Sequence, residues 1–291
     1  MTDQADHRSL YQLAMRAQII YDMFVRTADE DYVTARWAMS TRMMSTFFWL
    51  SAHCLEKYFK AVLLMNGHSA RTQGHDIVRL YNEVNDLAGE LLPESMQRPD
   101  WVEDEYWHDQ TIEQFIERLA EFGHSDNRYL VFGYIYFEQD LFFLDHMVLC
   151  IRRLIGRLDE PINPDESDLP TLREALRSPA YHPIHGARLL EELTQRPDTN
   201  AEASRALLNR NFSLAPADYP HAGAVGGSGS SSSAIVRQIL EPMRSPNREW
   251  ALDGVDTADW LLTNVRLSRG VERQIREAVE EARRRLAPDE E

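Results

Sequence analysis

Apolar residues recur at intervals of three and four along most of this chain, and that spacing restricts it to helices packed on helices. Leu10, Leu13, Ala17, Ile20, Tyr21 and Phe24 form one such stripe. Asp31 is placed to cap a second helix from Tyr32 to about Met39, and a third runs from about Ser45 to Asn66, where Gly67 stops it. Asp76 to Leu92 and Thr111 to Phe122 give two more, ended by Pro93 and Gly123. The aromatic stretch Tyr129 to Leu158 reads as one long helix, and its density of rings suits a core or a dimer interface. No alternating strand pair and no Asn-Gly hairpin interrupts the pattern. The expectation is an all-α protein: an up-and-down helical bundle followed by a helical C-terminal accessory region.

Hydrophobic residues make up 43% of the 291 residues, enough to bury a core. No uncharged run of 18 apolar residues is present, so no membrane span is expected. Residues Met1 to Leu10 lack the apolar run of a secretory signal, and Cys54 and Cys150 both sit in apolar helical patterns. Two such thiols fit a reducing compartment better than a disulfide framework, so a cytoplasmic location is expected. The net charge of −16 argues against a broad nucleic-acid-coating surface but leaves room for one basic cleft. Nine acidic residues between Glu94 and Glu121 form an acidic stretch that reads as a solvated face, or as a surface for a basic protein partner.

Pro161, Pro164 and Pro170, with Asp165, Glu166 and Asp168, mark a boundary. The chain therefore divides into a bundle over 1–160, a linker over 161–170 and a helical region over 171–291. Inside that last region are weaker helical patterns at Leu169–Leu193 and Ala201–Asn209, then a flexible Gly/Ser-rich loop at 223–233. Two final helices follow, at Val255–Leu267 and Val271–Leu286. The second is laced with i,i+4 pairs such as Glu272–Arg276, Glu280–Arg284 and Glu281–Arg285.

Of the 31 basic residues only Lys57 and Lys60 are lysine, and they lie three apart. They belong to the stretch Ser51-Ala-His-Cys-Leu-Glu56-Lys57-Tyr-Phe-Lys60-Ala-Val-Leu-Leu. Before it stands Asp31-Tyr32-Val-Thr-Ala35-Arg36, and after it come Asn66-Gly67, Gly74-His75-Asp76-Ile77-Val-Arg-Leu80 and Asn127-Arg128-Tyr129. In order and spacing these pieces resemble the HEPN domain, named for higher eukaryotes and prokaryotes nucleotide-binding proteins, over about Leu10 to Leu158. The resemblance implies a four- or five-helix bundle, usually a homodimer, that binds nucleotides or RNA. It also implies pairing with a small nucleotidyltransferase in toxin–antitoxin or phage-defence settings, or service as a non-catalytic adaptor. No cofactor is implied.

Ribonuclease-type HEPN domains carry an arginine and, four to six residues on, a histidine, facing the dimer mate. Arginine steadies the developing phosphate charge and histidine moves the proton, without a metal. Arg128 stands where that arginine is expected, but the histidine window holds Gly133, Tyr134 and Ile135. A tyrosine with an ordinary pKa of about 10 is a poor proton shuttle at neutral pH. Arg118 and His124 have the required spacing at the end of the preceding helix and are the alternative pair, with Arg177 and His182 a weaker one. His182-Pro-Ile-His185 is half of a metal site with no accompanying ligands, and no metal site is assigned. The Gly-Ser run at 226–233 lacks the Asp-x-Asp that a nucleotidyltransferase needs to hold Mg²⁺.

The expected binding residues are Lys57, His53, Lys60, Arg128, Tyr129 and His75. His53, Lys57 and Lys60 share one helical sector, and Arg128 opens another helix where backbone donors favour an anion. His75, followed by Asp76, also suits a helix start. The expected function is that of a non-catalytic HEPN protein binding a nucleotide or RNA. The alternatives are a metal-independent ribonuclease and an adaptor binding a protein partner.

Overall fold

A computed structural model describes residues 2–96, 107–125, 127, 133–137, 139–163, 168–177 and 235–287. The helices are α1 (Thr2–Ile20), α2 (Arg26–Ser40), α3 (Met44–Met65), α4 (Ile77–Ala88), α5 (Ile112–Phe122), α6 (Asp140–Arg153) and α7 (Leu172–Leu176). After them come α8 (Glu241–Arg244), α9 (Arg248–Asn264) and α10 (Arg269–Leu286). No strand occurs among the described residues; two isolated bridges, Ser95 with Thr111 and Pro161 with Thr171, are the nearest approach. The protein is all-α, a helical bundle with further helices at its C-terminal end.

The chain folds as two compact units that interleave along the sequence. The first joins Met1–Arg26, Leu63–Gly74 and Val225–Glu291; the second joins Thr27–Val62 and His75–Ala224. They do not coincide with the segments 1–160, 161–170 and 171–291 drawn from the prolines. Pro161 and Pro170 lie where the chain folds back on itself, Pro161 bridging to Thr171 and the Ile162 amide donating to the Pro170 carbonyl, whereas burial groups α1 with helices more than 200 residues away.

In the first unit, Met15, Ile19 and Ile20 of α1 are buried together with Ala251, Val255, Ala258 and Leu262 of α9 and Ile275 and Val279 of α10. Gln12 of α1 donates to Asp256 on α9 at 2.8 Å. Arg71 donates to the carbonyls of Leu262 and Val265 at 2.7 and 2.9 Å and pairs with Glu272 at 2.8 Å. Glu272 is thereby bound outside α10, and Arg285 donates to the carbonyls of Met243 and Arg244. The i,i+4 pairs expected for Glu272 and Arg285 give way to these tertiary partners, because a carbonyl at a helix end lacks an intrahelical donor and a guanidinium can supply it. A Cβ on Gly254 would stand 2.8 Å from the Met243 amide nitrogen, so α8 and α9 meet at a position that only glycine fits.

In the second unit α3 is buried on nearly every side: Phe47, Phe48, Leu55, Tyr58, Phe59 and Val62 are all enclosed. The strip that carries Trp49, His53, Lys57 and Lys60 is partly open. Around α3 lie Leu80 and Val84 of α4, Phe115, Ile116 and Leu119 of α5, and Phe143, Leu144, Met147 and Ile151 of α6. The local start signals work as the sequence implies. Asp76 caps α4 by accepting from the Arg79 amide at 3.0 Å, and Thr111 and Gln114 close a capping box on α5.

Two helix boundaries differ from expectation. Asp31 does not start a helix: α2 begins at Arg26, directly after a π-helical turn over Tyr21–Val25, and runs through it. Of the aromatic stretch, residues 129–132 lie outside the described residues, residues 133–137 are not helical, and α6 begins at Asp140. Gly133 sits at φ +70°, a left-handed conformation that ends any helix passing through it. The Asn127 side chain reinforces the turn by donating to the carbonyls of Phe122 and Gly133 at 3.1 and 2.7 Å. Asp140 then accepts from the Phe137 amide at 2.8 Å and opens α6.

Candidate functional site

The 3.6-residue repeat of α3 puts Trp49, His53, Glu56, Lys57 and Lys60 on adjoining turns. The Trp49 and His53 rings lie 3.9 Å apart, and the His75 ring, just before α4, is 6.3 Å from His53 in a stacked orientation. The structure therefore brings His53, Lys57, Lys60 and His75 to one face of the second unit, as their spacing on α3 implies for the first three. What the spacing does not show is how far their charges are already matched. The Lys57 ammonium donates to the Asp31 carboxylate at 2.7 Å and to the Thr27 carbonyl at 3.4 Å. Lys60 donates to Glu56 at 2.6 Å. Glu56 is buried, and its other close neighbour is Nδ1 of His75, 3.0 Å away.

The two ammonium groups stand against two carboxylates, and burial holds His53 below its usual pKa. An anion can reach Lys57, whose side chain keeps 27% of its exposure beside an Asp31 that keeps 20%. Trp49 and His53 add a flat surface beside the ammonium. Arg128 and Tyr129 lie outside the described residues, as do His182 and His185.

The alternative pair, Arg118 and His124, is not assembled as a phosphate site. Arg118 grips both oxygens of the Asp140 carboxylate at 2.8 Å each. It also donates to Gln110 at 2.9 Å and lies 4.6 Å from the Phe137 ring centre. Asp140 is fully buried. One terminal nitrogen of the guanidinium serves both carboxylate oxygens and the other serves Gln110, so the charge is matched by a buried carboxylate that a phosphate would have to displace. His124 is exposed just past the end of α5, its carbonyl accepting from the Asn127 amide at 2.9 Å. Tyr134 lies 5.9 Å from the Phe48 ring centre, more than a third exposed.

The polar groups that organise this unit are none of the expected binding or catalytic residues. Asp29 of α2 accepts from Arg152 of α6 at 2.6 Å and from the Tyr58 hydroxyl of α3 at 2.5 Å. Two turns along, Arg36 of α2 pairs with Asp145 of α6, and the Tyr32 hydroxyl donates to Asp145 at 2.7 Å. The pattern is reciprocal: aspartate then arginine seven residues later on α2, and the same on α6, run antiparallel. Burial works against charge on Arg36, but Asp145 and the Tyr32 oxygen outweigh it and hold the guanidinium above its ordinary pKa. Burial, with Asp145 or Asp29 adding to it, pushes the phenols of Tyr32 and Tyr58 well above theirs. The sequence signal was present, an Asp-x6-Arg at 29–36 and again at 145–152, but it means a helix pair only once both helices are known to touch.

Residues 21–122 match the family model of the HEPN domain. The chain carries a HEPN domain. The matched stretch contains the Asp31–Arg36, Ser51–Leu64 and Gly74–Leu80 pieces and stops short of Asn127-Arg128-Tyr129. Neither a curated protein nor a solved structure matches the chain. Within the HEPN domain, Arg36 is an internal strut to Asp145, and Glu56 is the acceptor shared by Lys60 and His75. No helix among the described residues is long and apolar enough to cross a membrane.

Proposed function

We propose that this HEPN protein binds a nucleotide or RNA through the α3 face and does not cleave it. The observation that carries the reading is the state of Arg118: both carboxylate oxygens of buried Asp140 occupy it, so the one arginine–histidine pair with ribonuclease spacing inside the HEPN match or beside it is committed to structure. Binding is supported by Lys57, whose ion pair with Asp31 is partly exposed, beside the Trp49–His53 rings. A phosphate on Lys57 and a base on those rings is a combination that single-stranded nucleic acids and nucleotides use.

Calorimetry with nucleotides and short RNA, on the wild type and on Lys57→Ala, tests the reading. Losing one phosphate contact weakens binding and lowers the slope of log affinity against log salt by about one contact's share, roughly 0.7 for a single strand. Equal affinity and an equal slope in the two proteins would overturn it.

A further inference from the structure

The C-terminal end of α6, the turn after α4 and the short α7 line a half-open cavity of about 360 Å³ in the second unit. Glu90, Cys150, Arg153, Leu154, Leu176 and Arg177 line it. That volume is at the small end of pockets that hold metabolites.

Its two arginines are in different circumstances. Arg177 is matched: it donates to Glu90 through Nε at 2.8 Å and through a terminal nitrogen at 2.5 Å. The arginines nearby in sequence are matched as well, Arg152 by Asp29, Arg157 by Glu160 and Arg173 by Asp159. Arg153 has no carboxylate among the described residues. It donates to the Leu176 carbonyl at 3.2 Å, and its Nε is buried with no acceptor. In a chain with 47 acidic and 31 basic residues, a guanidinium on a cavity wall without a carboxylate among the described residues stands out. Its planar fork offers up to five N–H donors, matched in shape to a phosphate or a carboxylate. With Glu90 neutralised by Arg177, the lining carries one net positive charge.

The ends of α6 and α7 oppose an anion here, because helix C-termini carry partial negative charge. Arg153 stands in the last turn of α6 and donates to the end of α7, so its full charge offsets both. We propose that this cavity takes a small molecule bearing a phosphate or a carboxylate, held by Arg153, with Leu154 and Leu176 against its carbon skeleton. The site is independent of the nucleic-acid reading: it shares no residue with the α3 face.

Cys150 supplies a reporter. It is half-buried on the cavity wall, and burial pushes its thiol up to about 11, whereas Cys54 is fully enclosed. The full chain is alkylated with iodoacetamide at pH 9, at constant ionic strength, with inorganic phosphate or citrate titrated in. A seated anion covers the sulfur and disfavours its thiolate. Alkylation of Cys150 is expected to slow at least threefold, saturably, and phosphate against citrate separates the two ligand chemistries. Arg153→Gln is expected to abolish the protection. Glu90→Gln, which removes the carboxylate of the lining and does not depend on Arg153→Gln folding, is expected to tighten apparent binding at least threefold. No saturable protection by either anion in the wild type, undiminished protection in a folded Arg153→Gln, or an unchanged midpoint in Glu90→Gln would each overturn the proposal.

Discussion

Replacing Arg152 with methionine removes one end of a buried ion pair and leaves the other in place. Asp29 is 3% exposed and Arg152 6%, so neither charge is rescued by water where it stands. After the substitution Asp29 keeps the Tyr58 hydroxyl as a donor but loses the guanidinium 2.6 Å away. Breaking a buried pair from one side costs about 3–5 kcal/mol, because an uncompensated charge stays buried. For a domain of roughly 150–250 residues each kcal/mol moves Tm by about 2–4 °C, so Arg152→Met is expected to melt roughly 6–20 °C below the wild type. Removing both charges is different: Asp29→Leu with Arg152→Met replaces the pair by apolar side chains, and is expected to cost much less than the two single changes added together. Arg36→Met breaks the second pair, two turns and about 10 Å away along α2, and its cost is expected to add to that of Arg152→Met to within about 0.5 kcal/mol. Urea unfolding followed by circular dichroism and by tryptophan fluorescence measures all of these. A loss below about 1 kcal/mol for Arg152→Met, or a double variant as damaged as the sum of its singles, would refute the reasoning.

Tyr32 and Tyr58 have folded pKa values raised well above the ordinary one, so the unfolded chain releases their protons first. Their contribution to stability is fully present below about pH 10 and is lost as pH rises from there towards the folded values; tyrosinate absorbance is expected to show these two titrating only with unfolding. His53 and His146 are held below their usual pKa by burial. That contribution is present above about pH 6.5 and is lost as pH falls through the folded values, and the Trp49 fluorescence change on protonation of His53 is expected to have its midpoint below that of a free imidazole. Gly123→Ala would set a Cβ 2.6 Å from Ala52 Cβ and the Phe48 carbonyl, and a loss of about 1–3 kcal/mol is expected in thermal unfolding. Purified protein is expected to leave RNA intact with or without metal; cleavage that His124→Ala abolishes would mean that the Arg118–His124 pair is a real site. The exposed run Tyr134, Ile135 and Tyr136 offers an apolar patch for a second copy, so light scattering of the full chain is expected to give a dimer, and Ile135→Glu a monomer.

The sequence determined by itself whatever depends on neighbours a few residues apart. Helical content, the Asp76 and Thr111 caps, the stop near Gly67 and the clustering of His53, Lys57 and Lys60 follow from i,i+3 and i,i+4 geometry, which any α-helix enforces. The HEPN resemblance was legible for the same reason, since its pieces are short and their order survives in one dimension. Tertiary structure decided what those residues touch. Lys57 finds Asp31 from the adjacent helix, Arg118 finds Asp140 from 22 residues away, and Asp29 finds Arg152 from 123 away. Such partners are chosen by packing and by the need to neutralise buried charge, and no local spacing encodes them. The aromatic stretch after Tyr129 shows the limit most directly. Its composition suits a helix, but a left-handed Gly133 and an Asn127 side chain tied across the turn keep residues 133–137 out of helix, and α6 starts at Asp140. The grouping of α1 with α9 and α10 has the same origin: Ile19 and Ile275 are both fully buried in one unit because apolar faces find each other in space, whatever their distance along the chain.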